Sequence, residues 1–187
     1  MSRGTILVLS GPSGVGKTTI AKRLREIPGV VRVMTTTTRA KRPQEVDGKD
    51  YRFLSREGFE AELQAGGFLE HAEIDGNLYG TPRVAIEKEL SSGKVVLVDI
   101  DTQGAKSVRD LRLPAFFVFI APPDMAELRK RLEGRKTESP EALKMRLARA
   151  EREMAQKDTY DAVVVNTTVE RAVDEILALA RARKLLG

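Results

Sequence analysis

Gly11-Pro12-Ser13-Gly14-Val15-Gly16-Lys17-Thr18 decides how this chain of 187 residues is read. Before it runs Thr5-Ile6-Leu7-Val8-Leu9, a continuous apolar segment typical of a strand buried on both faces. After it the spacing predicts a helix over 17–26. A strand, then G-x-x-x-x-G-K-[ST], then a helix is the setting in which this pattern cradles a triphosphate. Glycines let backbone N–H groups converge on phosphate oxygens, and the helix N-terminus adds a fixed positive potential. Gly11, Pro12, Ser13, Gly14, Val15, Gly16, Lys17 and Thr18 are therefore the expected ATP-binding set. Lys17 can reach the β- and γ-phosphates, and the Thr18 hydroxyl can ligate Mg²⁺.

Outward from this loop, apolar runs recur at 95–98, 115–120 and 162–165. Segments with helical spacing at 83–92, 124–135, 140–155 and 169–184 lie between and beyond them. That alternation predicts an α/β architecture: a three-layer P-loop fold with a parallel core sheet flanked by helices. Two regions break the pattern. Residues 35–82 are rich in Thr, charge, Gly and Tyr, with strand-like pieces at 51–54 and 68–74, and read as a small mixed β insertion. Residues 124–155 are helical, very basic and interrupted at Glu133-Gly134-Arg135-Lys136-Thr137, a composition that suits a mobile helical lid. The expected organisation is one domain over 1–187. Its core is 1–34, 83–123 and 156–187, with the insertion at 35–82 and the lid at 124–155.

The composition is 41% hydrophobic and 32% charged, enough to bury a core and stay in solution. No cysteine is present, which removes disulfides, thiolate metal sites and thiol catalysis. A single histidine, His71, argues against a zinc site or a Ser-His-Asp triad, and it reads as structural. No run approaches the length of a membrane span, and the N-terminus leads straight into a strand that the fold needs. An unprocessed, cytoplasmic protein with no membrane partner is expected. The net charge of +5 is spread over short separate clusters, without a nucleic-acid motif, so no nucleic-acid partner is expected.

Val98-Asp99-Ile100-Asp101 ends an apolar strand, where Asp99 can hold Mg²⁺ directly or through water. Asp101-Thr-Gln-Gly104 imitates the D-x-x-G of GTPases, but the chain contains no Asn-Lys-x-Asp motif to read guanine in the GTPase manner. A kinase is the better reading of the pair.

Within 35–82, Thr35-Thr-Thr-Thr-Arg39-Ala-Lys-Arg42 and Gly48-Lys-Asp-Tyr51-Arg-Phe53 resemble the T-T-R-x-x-R and G-x-D-Y-x-F elements of guanylate kinases. Phe68-Leu-Glu70-His-Ala72, Tyr79-Gly-Thr81, Asp99-Ile-Asp-Thr-Gln-Gly104, Ile120-Ala-Pro-Pro123 and Arg131-Leu-Glu-Gly-Arg135 resemble further elements of that family, in its order. The resemblance implies transfer of the γ-phosphoryl group of ATP to GMP, with dGMP as a second acceptor and Mg²⁺ as cofactor. It implies that Arg39, Arg42, Tyr51 and Tyr79 hold the GMP phosphate. Glu70 would accept from the guanine N1–H and N2–H₂, with Thr35, Thr81 and Asp101 completing base recognition. Thr35 and Thr81 stand where the family often has Ser. In the lid, the family's phosphate-binding arginines correspond to Arg135 and Arg146, which join Lys17 as the expected catalytic residues.

The chemistry agrees with these assignments. Guanidinium forks bind a dianionic phosphate bidentately, and one carboxylate matches two adjacent guanine donors that adenine lacks. Along 140–155, Leu143, Leu147, Ala150 and Met154 form one apolar stripe, with Arg146 about 60° to its side and Arg149 about 120° away. Arg149 is a weaker candidate for the phosphates than Arg135 and Arg146, and is read mainly as part of a solvated face, paired with Glu153 at i,i+4. Kinases for other monophosphates and non-catalytic guanylate-kinase-like modules are the competing readings. Either a monomer or a homodimer is compatible with the sequence.

Overall fold

The computed structural model describes residues 4–134 and 140–186. Strand β1 (Thr5–Ser10) runs into the glycine-rich loop and then α1 (Lys17–Leu24), and β2 (Val30–Arg32) follows. Next come β3 (Thr36–Thr37), β4 (Arg52–Phe53), α2 (Arg56–Gln64), β5 (Phe68–Ile74) and β6 (Asn77–Pro82). The chain continues through α3 (Arg83–Ser91), β7 (Val95–Asp99), α4 (Thr102–Asp110) and β8 (Ala115–Ala121). Helices α5 (Met125–Glu133) and α6 (Pro140–Met154), strand β9 (Ala162–Val165) and α7 (Val169–Ala182) complete it.

Five strands form a parallel sheet in the order β2-β7-β1-β8-β9. Alternation within β1 divides the core into two layers. Leu7 and Leu9 face one side with Ile20 and Leu24 of α1, Leu128 of α5 and Ile176 of α7. Ile6 and Val8 face the other side with Ile86 of α3 and Val108 of α4. All four of these β1 side chains are fully buried, which at roughly 1.5–3 kcal/mol apiece makes β1 the anchor of the molecule. Both sheet neighbours of β1 come later in the chain, so the loop after β1 opens at the carboxyl ends of the strands where α/β folds bind ligands.

A second sheet, β4-β3-β6-β5, is the expected insertion, and its Phe59, Phe68 and Leu78 form a core of their own. It is not packed independently, because Leu69 of β5 joins the main core beside Val8 and Val98. Helix α2 also lies within the mixed β insertion, at a segment the sequence reading did not assign to a helix. Ser55 caps it by accepting from Gly58 N, and it buries Phe59. Helix α4 was hidden in the sequence because its first turn coincides with the Asp101–Gly104 motif. Asp101 is in fact its N-cap. On α6 the expected stripe packs inward, with Ala150 buried and Leu143 and Leu147 against the core.

Candidate functional site

The loop between β1 and α1 takes its shape from contacts that only glycine permits. Gly16 lies at φ 99°, and a Cβ there would stand 2.5 Å from the Asn166 amide. That amide, just past β9, donates from Nδ2 to Val15 O at 2.7 Å and so ties the loop to the sheet. No side chain caps the start of α1 at Gly16 and no acid occupies its first turn, so its N–H groups face the loop. Lys17 Nζ donates to Gly11 O and, at 3.0 Å, to Pro12 O. Burial pushes the Lys17 ammonium below its ordinary pKa, while Glu153, Asp99 and Asp101 pull it back up. An ammonium held in this way exchanges favourably onto phosphate oxygens.

A cleft of about 220 Å³ runs from this loop to the second sheet. From the phosphate side it is lined by Gly11, Ser13, Lys17 and Thr18, and from the second sheet by Thr35, Tyr51, Glu70 and Tyr79. Asp99 and Asp101 at the end of β7, and Arg146 on α6, complete the predicted residues that it brings together.

The carboxylate Glu70 is only 5% exposed, and its Oε1 accepts from Thr81 Oγ1 at 2.5 Å. Thr81 is buried behind Glu70 and orients it. Burial raises the Glu70 pKa to about 7, with Asp101 adding to the rise and the Thr81 hydroxyl opposing it. Gly104 makes room for this group, since a Cβ there would lie 2.8 Å from Glu70 Oε2. Asp101 Oδ1 accepts from Gly104 N at 2.9 Å. Thr35 is buried at the cleft wall.

Tyr51 and Tyr79 stand edge to face with ring centroids 6.4 Å apart. The Arg39 guanidinium lies 5.6 Å from the Tyr51 ring and is paired with Glu45 at 2.8 and 3.0 Å. The Arg42 side chain is exposed, and its backbone N–H donates to Glu45. Neither arginine lines the cleft. Within the loop, Pro12, Gly14, Val15 and Gly16 shape the cradle from behind its surface. Arg135 lies outside the described residues.

Four side chains join the site beyond the expected set, three unforeseen in sequence and the fourth, Arg149, only a weaker candidate there. Arg32, at the end of β2, donates from Nε to Asp99 Oδ1 at 3.0 Å and approaches the Tyr51 ring to 5.9 Å. Nothing local marks it, because its partner is 67 residues away. Asn166 is equally silent in sequence. Glu153 is buried at the cleft edge, where desolvation raises its pKa against the pull of Arg149 and Lys17. The expected i,i+4 pair is present, with Arg149 Nε donating to Glu153 Oε1 at 3.1 Å, but Arg149 also lines the cleft rather than a solvated face.

A parallel α/β sheet carrying this loop at the carboxyl end of its central strand defines a P-loop nucleotide-binding enzyme. The guanylate kinase family model matches residues 3–182. Guanylate kinases of Rubrobacter xylanophilus and Symbiobacterium thermophilum are each 48% identical to the chain over 97% of its length, covering 95% and 87% of their own. The crystal structure of guanylate kinase from Anaplasma phagocytophilum superposes with a TM-score of 0.83 at 39% identity, covering 99% of this chain and 88% of that one. The chain belongs to the guanylate kinase family.

Proposed function

We infer that this protein transfers the γ-phosphoryl group of ATP to GMP, releasing ADP and GDP, and that it also accepts dGMP. The observation that carries this reading is Glu70, a buried carboxylate braced by Thr81 in the same cleft as the phosphate-loop Lys17. As a carboxylate it presents acceptors to the guanine N1–H and N2–H₂. Adenine would leave it facing the acceptor N1 with no amino group at C2, a mismatch that can cost about 10⁴-fold.

The triphosphate lies along Gly11–Thr18, where Lys17 leaves the loop carbonyls for the β- and γ-oxygens. Arg39 leaves Glu45 for the acceptor phosphate, where the exposed Arg42 guanidinium joins it, helped by the hydroxyls of Tyr51 and Tyr79. Thr35 and Asp101 finish base recognition. No general base is needed, because the acceptor phosphate is already an anionic nucleophile. Positioning and charge neutralisation are the main demands of this chemistry, and Lys17, Arg135 and Arg146 meet them.

Thr18 and Asp99 offer the hard oxygen donors that suit Mg²⁺, with Asp99 partly engaged by Arg32 and so suited to a contact through water. The ion, when bound with ATP, neutralises charge on the transferring group. Among the described residues no helix is long and apolar enough to cross a membrane. We read residues 35–82 as the acceptor-binding part and 124–155 as the lid of a cytoplasmic enzyme, monomeric or homodimeric.

A coupled assay of ADP formation with GMP, dGMP, AMP, UMP and dTMP in turn tests the reaction. GMP is expected to be the preferred acceptor. Lys17→Ala is expected to lower kcat by about a thousandfold with the circular dichroism spectrum unchanged. Failure to convert GMP in the presence of ATP and Mg²⁺ overturns the assignment.

A further inference from the structure

Arg149 spends each of its three guanidinium nitrogens on a different carboxylate. Nη2 donates to Asp101 Oδ2 at 3.0 Å, Nε donates to Glu153 Oε1 at 3.1 Å, and Nη1 lies 3.6 Å from Asp75 Oδ1. Asp101 is the N-cap of α4 in the core, and Glu153 is one turn further along α6. Asp75 sits with Gly76 at φ 51° and 77° in the two-residue turn joining β5 to β6. One side chain thus touches the core, the lid helix and the hairpin that carries Glu70.

The contact to Asp101 bears most directly on the acceptor. Asp101 Oδ1 is committed to Gly104 N, so Arg149 fixes the remaining oxygen and with it the plane of the carboxylate. Asp101 and Glu70 flank the same bare Cα at Gly104. A Cβ there would lie 3.4 Å from Asp101 Oδ1 and 2.8 Å from Glu70 Oε2. Two anions so close repel, and the guanidinium compensates one of them. A lysine ammonium, as a point charge, cannot span three carboxylates in the manner of a planar fork.

We propose that Arg149 is a positioning residue of the acceptor site, holding Asp101 and the β5–β6 hairpin so that the carboxylates at the guanine edge are correctly set before GMP arrives. This rests on GMP being the acceptor. Arg149 acts through Asp101 and Asp75 and does not itself touch the base.

Calorimetric titration with GMP, IMP and a non-hydrolysable ATP analogue tests it, because binding is read without turnover. IMP lacks the N2 amino group. Arg149→Ala is expected to weaken GMP about tenfold, to weaken IMP less, and to leave the ATP analogue within about twofold of wild type. Arg149→Lys should recover part of the loss. Asp75→Asn, at a turn where the side chain is 65% exposed and folding is not at risk, should weaken GMP about twofold in the wild type and not at all in Arg149→Ala. Unchanged GMP affinity in Arg149→Ala overturns the proposal, as does equal weakening of GMP and IMP, or an Asp75→Asn effect of the same size in both backgrounds. A wild-type chain that binds GMP but never phosphorylates it would refute the kinase reading and leave this one to be judged on the affinities. A wild-type chain that binds no GMP overturns both.

Discussion

Glu70 shows how a buried carboxylate costs stability. Its pKa of about 7 in the folded chain lies above the ordinary 4.5, so the native state holds a proton that the unfolded state releases. Between pH 4.5 and 7 stability therefore falls as pH rises, and above pH 7 the whole penalty remains. At about 1.4 kcal/mol per pH unit it amounts to about 3 kcal/mol. Glu70→Gln carries no such penalty. Its stability relative to wild type is expected to rise through that window by a value approaching 3 kcal/mol at pH 8, measured by urea unfolding at several pH values. The same variant should lose about a hundredfold in kcat/KM for GMP, because one amide cannot accept from two adjacent donors. For the wild type, kcat/KM for GMP should fall on the acid side of pH 7 as Glu70 protonates. A pH-independent stability difference between the two proteins would show that Glu70 is not a desolvated acid.

At the scale of elements, the phosphate loop depends on a residue remote in sequence. The Asn166 side-chain amide holds Val15 O, while the Asn166 backbone carbonyl accepts from Arg131 Nη2 at 3.2 Å, so one position joins the loop, β9 and α5. Asn166→Ala leaves the Val15 carbonyl buried without its partner. The expected cost is about 1–3 kcal/mol in unfolding free energy, with KM for ATP raised several-fold and KM for GMP unchanged. Equal effects on both substrates would mean that Asn166 supports the fold at large rather than the loop. The elements also show what was legible in sequence. Apolar runs at 5–9, 95–98 and 115–120 became strands buried on both faces, where no alternation is needed, whereas the run 162–165 became the edge strand β9, which buries Val164 and leaves Val163 and Val165 exposed. Helix α2 was missed because its apolar face is narrow, with Phe59 its one buried residue. The hairpin of β5 and β6 carried a readable signal in Asp75-Gly76, a pair suited to the positive φ of a tight turn.

For the whole molecule, two of the cationic groups expected to meet phosphate are engaged elsewhere in this structure: Lys17 on loop carbonyls and Arg39 on Glu45. On the proposed reading both pairings are exchanged when substrates bind, and the segments 35–82 and 124–155 are expected to close over them. Small-angle scattering should register that closure. From a radius of gyration of ~16 Å, expected for a domain of this size, a decrease on the order of 1 Å is predicted on adding GMP and a non-hydrolysable ATP analogue together. An unchanged radius would argue that substrates enter a site already closed.

Sequence by itself determined the phosphate loop and the parallel α/β layers, and it pointed to Thr35, Tyr51, Glu70 and Tyr79, which line the cleft. These are properties of short segments, in which spacing dictates local backbone and burial. Only the tertiary structure decided that Arg149 belongs to the cleft and not to solvent. Helical periodicity describes one helix and says nothing of α4 and the β5–β6 hairpin, which approach its polar side. Only folding, likewise, pairs Arg32 with Asp99 and Asn166 with Val15. Each bond joins residues far apart in the chain, and its strength comes from a buried environment that no single segment creates.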